Sequence, residues 1–595
     1  MPADGSFALF DGDDGSALLL RDCRRCVCFD ASGDLAATFA QIEAAAAAGE
    51  WVALAADYEL GACFEPAIGL TPAGAPLLRA WIFGRGEQLD AAAVDAFLAG
   101  RLAALSEAER RAGIAELATG MDAADYACAV ERIRGWIADG DCYQINFTFP
   151  LDFRVFGDPL ALYTGLRQRQ PVRYGACLVT PEATVLSFSP ELFFERSGDR
   201  VVTRPMKGTA PRGATAQEDA ERRAVLLASA KERAENVMIV DLLRNDLGRL
   251  APPGRVRVEA LCATEPYPTL WQMVSTVSAD VPGARLIDLF RALFPCGSIT
   301  GAPKIRAMQR IAELESRPRG LYTGALGWLA PGGDCRFNVA IRSVELERRE
   351  DGWRGRLGIG SGIVIDAEPA SEYAECLLKA SFLTGFDPGF GLIETLRLEA
   401  GAYPLLRLHR ERLAASARAL GFACDEAQVL AQLAAEAARC GPGLFRVRLT
   451  LAHDGRCRIV SAPLAADDGR AWQVVLASET LAADDYLLRH KTTARGRYDR
   501  ALAQLADRPA VFDAIFLNAR GEVCEGARSN VFIERDGLLL TPPLACGLLP
   551  GVMRRQLLES GRAVERILTK DDLQATPALY MGNALRGLIP VTLAS

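Results

Sequence analysis

The chain has 595 residues and a net charge of −8. Half of its residues are apolar, which is ordinary for a globular protein. This length exceeds one hydrophobic core, so roughly three to five domain-sized units are expected. No basic run stands out, which argues against a nucleic-acid partner. No apolar run approaches the roughly 20 residues that span a bilayer, and the start lacks a secretory signal, so we expect a cytoplasmic protein without a membrane partner.

Elements of the first half alternate between short strands and long amphipathic helices. From Asp122 to Asp139 apolar residues recur at helical spacing, and Gly140 is placed to end that helix. The segment 143–149 alternates apolar and polar residues, which predicts a strand. The Gly/Pro break at Thr384–Gly389 predicts a domain boundary. We therefore expect an N-terminal part (1–120), a catalytic region (121–385) and a separate C-terminal domain (386–595).

Five segments between about residues 122 and 384 form a specific pattern when taken together. They are Ser189–Glu191 (SPE), Arg204–Thr209 (RPMKGT), Glu232–Asp246 (ERAENVMIVDLLRND), Phe294–Arg306 (FPCGSITGAPKIR), and Gly360–Gly362 (GSG) with Glu372–Lys379 (EYAECLLK). The set resembles the chorismate-utilising family, which includes anthranilate, isochorismate and aminodeoxychorismate synthases. The resemblance implies a β-sandwich-with-helices fold and chorismate, a dicarboxylate, as substrate.

Acidic residues of this half are spaced for a metal site. Glu372, Glu375 and Lys379 stand at i, i+3 and i+7 and so share one helix face. Glu232 and Glu235 share a face of another helix in the same way. Carboxylates from two helices suit Mg²⁺, which keeps waters and accepts a substrate carboxylate. Glu235 and Glu375 match the family's magnesium ligands, and which of the four glutamates bind the metal directly stays open.

The resemblance also implies a substrate site. A Gly-rich turn at residues 360–362 is predicted, because backbone amides in such a turn receive a carboxylate. The family binds the enolpyruvyl carboxylate through a tyrosine and an arginine, which match Tyr322 and Arg342 here. The implied substrate-binding residues are Tyr322, Arg342, Gly360, Ser361, Gly362, Lys379 and Thr209.

Two positions separate the members of this family. Isochorismate synthases resemble the pattern but carry lysine where Gln144 stands, and glutamine cannot activate water. Anthranilate synthases carry alanine at the position of Lys207, whereas aminodeoxychorismate synthases carry lysine. A neutral lysine amine attacks C2 of chorismate while the C4 hydroxyl leaves, and ammonia then enters at C4. Glu191 matches the general acid, and Gln272, where many relatives have histidine, favours stopping at aminodeoxychorismate.

None of the recognised motifs belongs to an ammonia-producing activity. A glutaminase needs a cysteine nucleophile with a histidine, typically on a Gly-x-Cys-x-Gly elbow, and no such string occurs. The first histidine of the chain is His409, beyond the whole first half. We therefore expect ammonia from solution or from a separate glutamine amidotransferase subunit.

The second half carries a different set of motifs. They are Gly391–Arg397 (GLIETLR), His409–Leu413 (HRERL), Arg489–Thr493 (RHKTT) with Tyr498, Glu525–Phe532 (EGARSNVF) and Leu549–Arg554 (LPGVMR). The set resembles fold-type IV enzymes that use pyridoxal 5′-phosphate (PLP), and it implies two α/β subdomains. In that family Lys491 binds the cofactor covalently and Glu525 pairs with its pyridine nitrogen. The implied phosphate contacts are Arg412, the backbone amides of Val552 and Met553 at a helix N-terminus, and Asn583.

The fusion selects among the activities of fold-type IV. The motifs of the second half fit aminotransferases and aminodeoxychorismate lyase alike, but the lyase consumes what the first half makes. We therefore expect an α/β (α+β) protein that converts chorismate to p-aminobenzoate with Mg²⁺ and PLP. One alternative is an anthranilate synthase-like half fused to a branched-chain or D-amino-acid aminotransferase-like half, and another is a catalytically idle regulator. A homodimer formed through the PLP domain is one option.

Overall fold

The computed structural model describes residues 5–69, 76–267, 270–465 and 469–594. Within these ranges no helix is both long and apolar enough to cross a membrane. Two bodies of secondary structure follow one another along the chain, and the second begins after the helix that ends at Thr384.

The first half is built on one 18-stranded sheet system in which every strand pair is antiparallel. Strands from before and after residue 120 pair with each other, as β1 does with β7 and β3 with β15. Its strands are β1 (Phe7–Asp11), β2 (Ala17–Phe29), β3 (Trp51–Ala56), β4 (Leu78–Leu89), β5 (Gly113–Thr119), β6 (Gln144–Phe156), β7 (Ala176–Val179), β8 (Thr184–Ser187), β9 (Leu192–Ser197), β10 (Arg200–Arg204), β11 (Met206–Pro211), β12 (Val256–Pro266), β13 (Leu270–Asp280), β14 (Gly301–Ala302), β15 (Ala325–Leu329), β16 (Cys335–Val339), β17 (Ser343–Arg349) and β18 (Gly352–Ile363).

Eleven α-helices cover the described part of this sheet system. They are α1 (Leu35–Ala47), α2 (Gly61–Phe64), α3 (Ala91–Ala103), α4 (Glu107–Arg110), α5 (Ala123–Ala138), α6 (Pro159–Arg169), α7 (Ala216–Ala228), α8 (Ala230–Gly248), α9 (Leu286–Leu293), α10 (Lys304–Leu314) and α11 (Pro369–Thr384). The predicted helix from Asp122 to Asp139 is confirmed as α5. The Asp122 side chain accepts hydrogen bonds from the first-turn amides, and Gly140 leaves the helix at φ 79°.

Strands β6 and β18 form the frame of the first site, because they pair over eleven residues from Trp353↔Val155 to Ile363↔Ile145. The predicted strand over 143–149 is confirmed as the start of β6. The predicted Gly-rich turn at Gly360–Gly362 was wrong, since these residues continue β18. Side chains at 360 and 362 would clash with Phe147 O and Gln144 Nε2, so the glycines permit close packing rather than a turn.

The second half contains two subdomains, as the fold-type IV resemblance implied. One has a three-stranded antiparallel sheet, and the other has an eight-stranded mixed sheet. Its strands are β19 (Leu392–Glu399), β20 (Leu444–Leu451), β21 (Cys457–Pro463), β22 (Trp472–Leu476), β23 (Val511–Leu517), β24 (Val523–Gly526), β25 (Asn530–Arg535), β26 (Leu538–Thr541), β27 (Ala563–Glu565), β28 (Leu579–Asn583) and β29 (Gly587–Leu593). Its helices are α12 (Leu406–Leu420), α13 (Glu426–Cys440), α14 (Gly496–Ala503), α15 (Val552–Glu559) and α16 (Lys570–Ala575).

The two halves share an apolar core cluster. Ala115 and Phe156 of the first half are buried in one cluster with Phe390 and Phe422 of the second. The rings of Phe156 and Phe390 lie 6.0 Å apart, and those of Phe390 and Phe422 stack at 5.8 Å. This shared burial stabilises the contact between the halves through removal of apolar surface from water.

Candidate active sites

The first site centres on Lys207 of β11 and the buried Glu191. Ser298 Oγ donates a hydrogen bond to Glu191 Oε1 at 2.7 Å. Burial raises the pKa of Glu191 to about 7, although Ser298 and Lys207 both stabilise its charged form. Burial also lowers the pKa of Lys207, against the charges of Glu191 and Glu235. A proton donor and an amine that loses its proton more readily therefore interact electrostatically in this site.

Gln272 holds the strand that carries Lys207. Its Oε1 accepts a hydrogen bond from Thr209 Oγ1 at 3.0 Å, and its Nε2 donates to Gly208 O at 3.0 Å. Both contacts are made to the two residues that follow Lys207, so the glutamine fixes the local backbone across β11 and β13. Thr209, which the resemblance implied as a substrate contact, is an exposed residue with its hydroxyl engaged by Gln272.

Three of the four predicted metal-site glutamates act on one another electrostatically. Burial, and then the charges of Glu235 and Glu375, raise the pKa of Glu232. These carboxylates come from α8 and α11, as the helical spacing predicted. Glu372, one turn earlier on α11, lies near the Tyr126 hydroxyl. In the described ranges no three His, Cys, Asp or Glu residues are close enough together to hold a metal ion.

The glycine-rich end of β18 contacts Lys379 of α11. Beyond Leu357, β18 pairs with β6 along one edge and no longer pairs with β17 along the other. The backbone groups on that second edge are therefore bonded to neither β6 nor β17. Lys379 Nζ donates to Gly360 O at 2.9 Å and contacts Glu375 Oε1 at 2.8 Å. The Ser361 hydroxyl lies 2.8 Å from that of Tyr126.

The Gln144 side-chain oxygen and the Arg342 guanidinium lack a partner among the described residues. Gln144 Oε1 is buried with no hydrogen-bond donor among the described residues, and such a group costs about 1–3 kcal/mol unless a ligand satisfies it. Arg342 forms no ion pair with any residue that the structure describes, and burial lowers its pKa. It has the left-handed φ of 49°. The ring of Tyr322 packs directly over Gly358. The structure gives no contact between Tyr322 and Arg342.

The second site is a cavity of about 600 Å³ around Lys491. Burial, reinforced by the positive charges of Arg412 and Arg495, lowers the pKa of Lys491 to about 7. The Lys491 carbonyl accepts a hydrogen bond from Ile393 N at 2.8 Å, which ties the lysine backbone to the start of β19. The Lys491 backbone is therefore held beside β19, and its amine loses a proton more readily than usual.

Glu525 faces the same cavity and is held on both oxygens. Tyr498 OH donates to Oε1 at 2.6 Å and Leu549 N donates to Oε2 at 3.0 Å. Burial raises the pKa of Glu525 to about 7 despite these hydrogen bonds. A fixed buried carboxyl of this kind fits the partner of a protonated pyridine nitrogen.

The predicted phosphate contacts surround the N-terminus of α15. The helix begins at Val552 after Gly551, as predicted, and no side chain caps its first amides, including that of Met553. A side chain at 551 would clash with Asn530 Oδ1. Arg412 Nη1 lies 3.4 Å from Pro550 O, just before the helix. Free amides and an arginine at one helix terminus fit a phosphate.

Arg412 is oriented by a buried carboxylate. It contacts Glu394 through two hydrogen bonds of 2.8 and 2.6 Å, and His409 Nδ1 lies 2.6 Å from the same side chain. Burial alone would raise the pKa of Glu394, but Arg412 and His409 hold it at about 2. Asn583 lines the cavity, and its Oδ1 accepts from the amides of Leu585 and Arg586.

Four side chains were not assigned these roles from the sequence. Ser298, Glu394 and Tyr498 lie inside the quoted motifs, but only the structure pairs them with Glu191, Arg412 and Glu525. Arg495 has no sequence signal beyond its closeness to Lys491. Its guanidinium donates to Ala527 O and lies 5.0 Å from the Tyr498 ring centre.

Comparisons with known proteins agree with this division. Residues 32–385, more than half of the chain, match the family described as chorismate binding enzyme, and residues 391–594 match amino-transferase class IV. Aminodeoxychorismate synthase component 1 of Bacillus subtilis is 41% identical over 256 residues, covering 43% of this chain and 54% of that protein. Anthranilate synthase component 1 of Methanothermobacter thermautotrophicus is 40% identical over 256 residues, with the same two coverages. The chain thus spans about half the length of these curated relatives.

A solved structure shares the fold of the first half. Anthranilate synthase component I from Streptococcus pneumoniae aligns with a TM-score of 0.53 at 24% identity, covering 62% of this chain and 92% of that one. This likeness bears on the fold alone. The family match over residues 32–385 covers more than half of the chain. The chain therefore belongs to the chorismate binding enzyme family, with a class IV amino-transferase domain fused behind it.

Proposed function

We propose that this chain makes p-aminobenzoate from chorismate in two steps, as an aminodeoxychorismate synthase joined to an aminodeoxychorismate lyase. The observation that carries the proposal is the buried Glu191, which Ser298 hydrogen-bonds at 2.7 Å and which interacts electrostatically with Lys207. Identity alone does not separate aminodeoxychorismate from anthranilate synthases, since both kinds of relative match about equally. A lysine that supplies a neutral amine favours amination at C4.

In the first step the Lys207 amine forms a bond to C2 of chorismate as the C4 hydroxyl leaves. Glu191 gives its proton to that hydroxyl, which departs as water. Ammonia then forms a bond to C4 and the bond between Lys207 and C2 breaks, which returns the free amine. The products are 4-amino-4-deoxychorismate and water, and the enolpyruvyl group stays in place.

Glu235 and Glu375 are the residues that would hold Mg²⁺. The charges of Glu235 and Glu375 raise the pKa of Glu232, so the three carboxylates repel one another. A divalent cation between these carboxylates would relieve that repulsion. The metal, when bound, supplies positive charge for a substrate carboxylate. Arg342, a buried guanidinium without an ion pair among the described residues, fits the second carboxylate of chorismate.

In the second step Lys491 removes the proton from C4 of aminodeoxychorismate. The enolpyruvyl C–O bond at C3 breaks, pyruvate leaves, and the ring becomes aromatic. PLP, when bound, supplies the electron sink for this proton removal. Glu525 would hold the pyridine nitrogen, while Arg412 and the start of α15 would hold the phosphate.

Nitrogen enters as ammonia. The relatives named component 1 are by their names parts of larger assemblies, and no glutaminase motif was found in this chain. We propose that a separate glutamine amidotransferase supplies ammonia in the cell and that ammonium salts replace it in vitro.

Product analysis tests the whole proposal. The pure chain is incubated with chorismate and ammonium chloride, with or without PLP, and with or without a chelator of Mg²⁺. We expect p-aminobenzoate and pyruvate in equal amounts with PLP, aminodeoxychorismate without PLP, and neither with the chelator. Formation of anthranilate instead would overturn the proposal in favour of the anthranilate synthase alternative.

A further inference from the structure

The wall of the second cavity includes residues of the first half. Ala108 on α4 and Arg111 directly after that helix line the cavity that contains Lys491 and Glu525. The Arg111 side chain is 27% exposed, so most of it is covered within the molecule. The PLP pocket is thus not enclosed by the class IV domain alone.

Polar contacts hold α4 against this cavity. Arg500 Nη1, on α14, donates to Glu107 Oε2 at 2.7 Å, and Arg500 also donates to Glu479. Gly496 permits the approach, because a side chain there would clash with Glu107 Oε1. These contacts fix the segment that leads to Arg111.

A second polar contact between the two halves involves Glu116, which lies close to Glu107 along the chain. Tyr486 OH donates to Glu116 Oε1 at 3.2 Å, and the Arg154 guanidinium lies 5.1 Å from the Tyr486 ring centre. Tyr486 begins the 3₁₀ turn that ends two residues before Lys491. The first half is therefore docked on the segment that leads into the cofactor lysine.

The charge of the cavity indicates an anionic occupant. Its lining includes eight arginines and Lys491, but three carboxylates, namely those of Asp485, Asp499 and Glu525. Asp485 is paired with Arg497 at 2.7 Å. Arg446 and Arg448 make no ion pair within the described ranges and are exposed on β20. One phosphate does not match this excess, whereas a phosphate and a dicarboxylate together do.

Arg111 has a guanidinium available for that occupant. Its ion-pair partner is Glu107 at 3.6 Å, and Glu107 makes a closer contact of 2.7 Å with Arg500. A planar guanidinium with spare donors binds a carboxylate through two parallel hydrogen bonds. We propose that Arg111 of the first half binds a carboxylate of the substrate in the second half's pocket.

This inference rests on the proposed function, because aminodeoxychorismate brings two carboxylates into the pocket. Arg111 then acts as a specificity residue for a dicarboxylate, and the synthase half completes the lyase site. The class IV domain without the first half lacks this contact.

The test compares Arg111→Gln with Arg110→Gln in the full-length holoenzyme. Arg110 is its exposed neighbour, with its Nε bonded to Leu105 O and no part in the cavity wall. Purified aminodeoxychorismate is supplied and pyruvate release is measured. Arg111→Gln should raise KM about ten- to hundred-fold with little change in kcat, as for loss of a charged hydrogen-bonded pair. Arg110→Gln should match the parent.

Further readouts separate binding from misfolding. Arg111→Lys keeps the charge and should have an intermediate KM, while aminodeoxychorismate formation and cofactor absorbance stay at parent values in all three variants. A parent-like KM in Arg111→Gln overturns the inference alone. A parent chain that releases no pyruvate from aminodeoxychorismate overturns the proposed function and the inference with it.

Discussion

Each of the two sites contains a lysine and a buried glutamate, but the charged neighbours of the two lysines differ. Each has a lysine whose pKa is lowered mainly by burial, and a buried glutamate whose pKa is raised to about 7. Each glutamate accepts a hydrogen bond from one hydroxyl, that of Ser298 in the first site and that of Tyr498 in the second. The charged neighbours that act most strongly on the two lysines differ in sign.

This difference separates the cause of the lysine pKa shifts from the charges that suit each ligand. Glu191 and Glu235 oppose the pKa shift of Lys207, whereas Arg412 and Arg495 reinforce that of Lys491. Burial therefore supplies the effect common to both sites. The remaining charges suit the proposed ligands, which are Mg²⁺ with the substrate in the first site and the PLP phosphate in the second.

The largest effect is expected when the lysine of the second site, Lys491, is replaced. Lys491→Ala should lose the visible absorbance of bound PLP and reduce p-aminobenzoate formation at least about a thousand-fold, because anchor and base are removed together. Aminodeoxychorismate should accumulate at the parent rate. Lys570→Ala, at an exposed lysine of the same half, is the control and should behave as the parent. Unchanged p-aminobenzoate formation in Lys491→Ala would show that the second half is not the lyase.

At the first lysine, Lys207→Ala should reduce aminodeoxychorismate formation about a thousand-fold while supplied aminodeoxychorismate is still converted to p-aminobenzoate. Lys207→Arg is the sharper variant, because arginine keeps the charge but cannot supply a neutral amine. We expect it to be as inactive as the alanine variant in a chorismate and ammonium assay. Substantial activity of Lys207→Arg would mean that Lys207 acts through its charge and that the covalent route is wrong.

The smallest effect concerns pH. Glu191 must be protonated to act as an acid, so the first step should slow as pH rises through its pKa near 7. Ser298→Ala removes a donor that stabilises the carboxylate, which should raise this pKa and move the alkaline limb up by about one pH unit. Tyr498→Phe removes the equivalent donor in the second site and should leave the profile of the first step in place. An unshifted limb in Ser298→Ala would exclude Glu191 as the titrating acid.

Local patterns predicted much of this structure. The helical spacing of Glu232 with Glu235 and of Glu372 with Glu375 is confirmed by α8 and α11, and the N-terminus of α15 follows Gly551 as expected. Such features depend on residues within a few positions of each other, so periodicity and capping reveal them.

Other features depend on distant segments and were missed or misread. Gly360–Gly362 was predicted as a turn, but pairing with β6, more than 200 residues earlier, makes it a strand. Glu191 and Ser298 meet across 107 positions. Arg111 gave no signal, because its place beside the second cavity depends on how the halves dock. Composition and spacing do not encode such contacts.

The aromatic cluster between the halves also bears on how the fusion persists. Gene fission after residue 386 would leave Phe156 and Phe390 on two newly exposed surfaces, together with Ala115 and Phe422 of the same cluster. Exposed apolar patches of this kind promote aggregation. Each fragment would first need polar substitutions at its new surface, and those substitutions would weaken the intact protein. The two halves are therefore easier to keep fused than to separate.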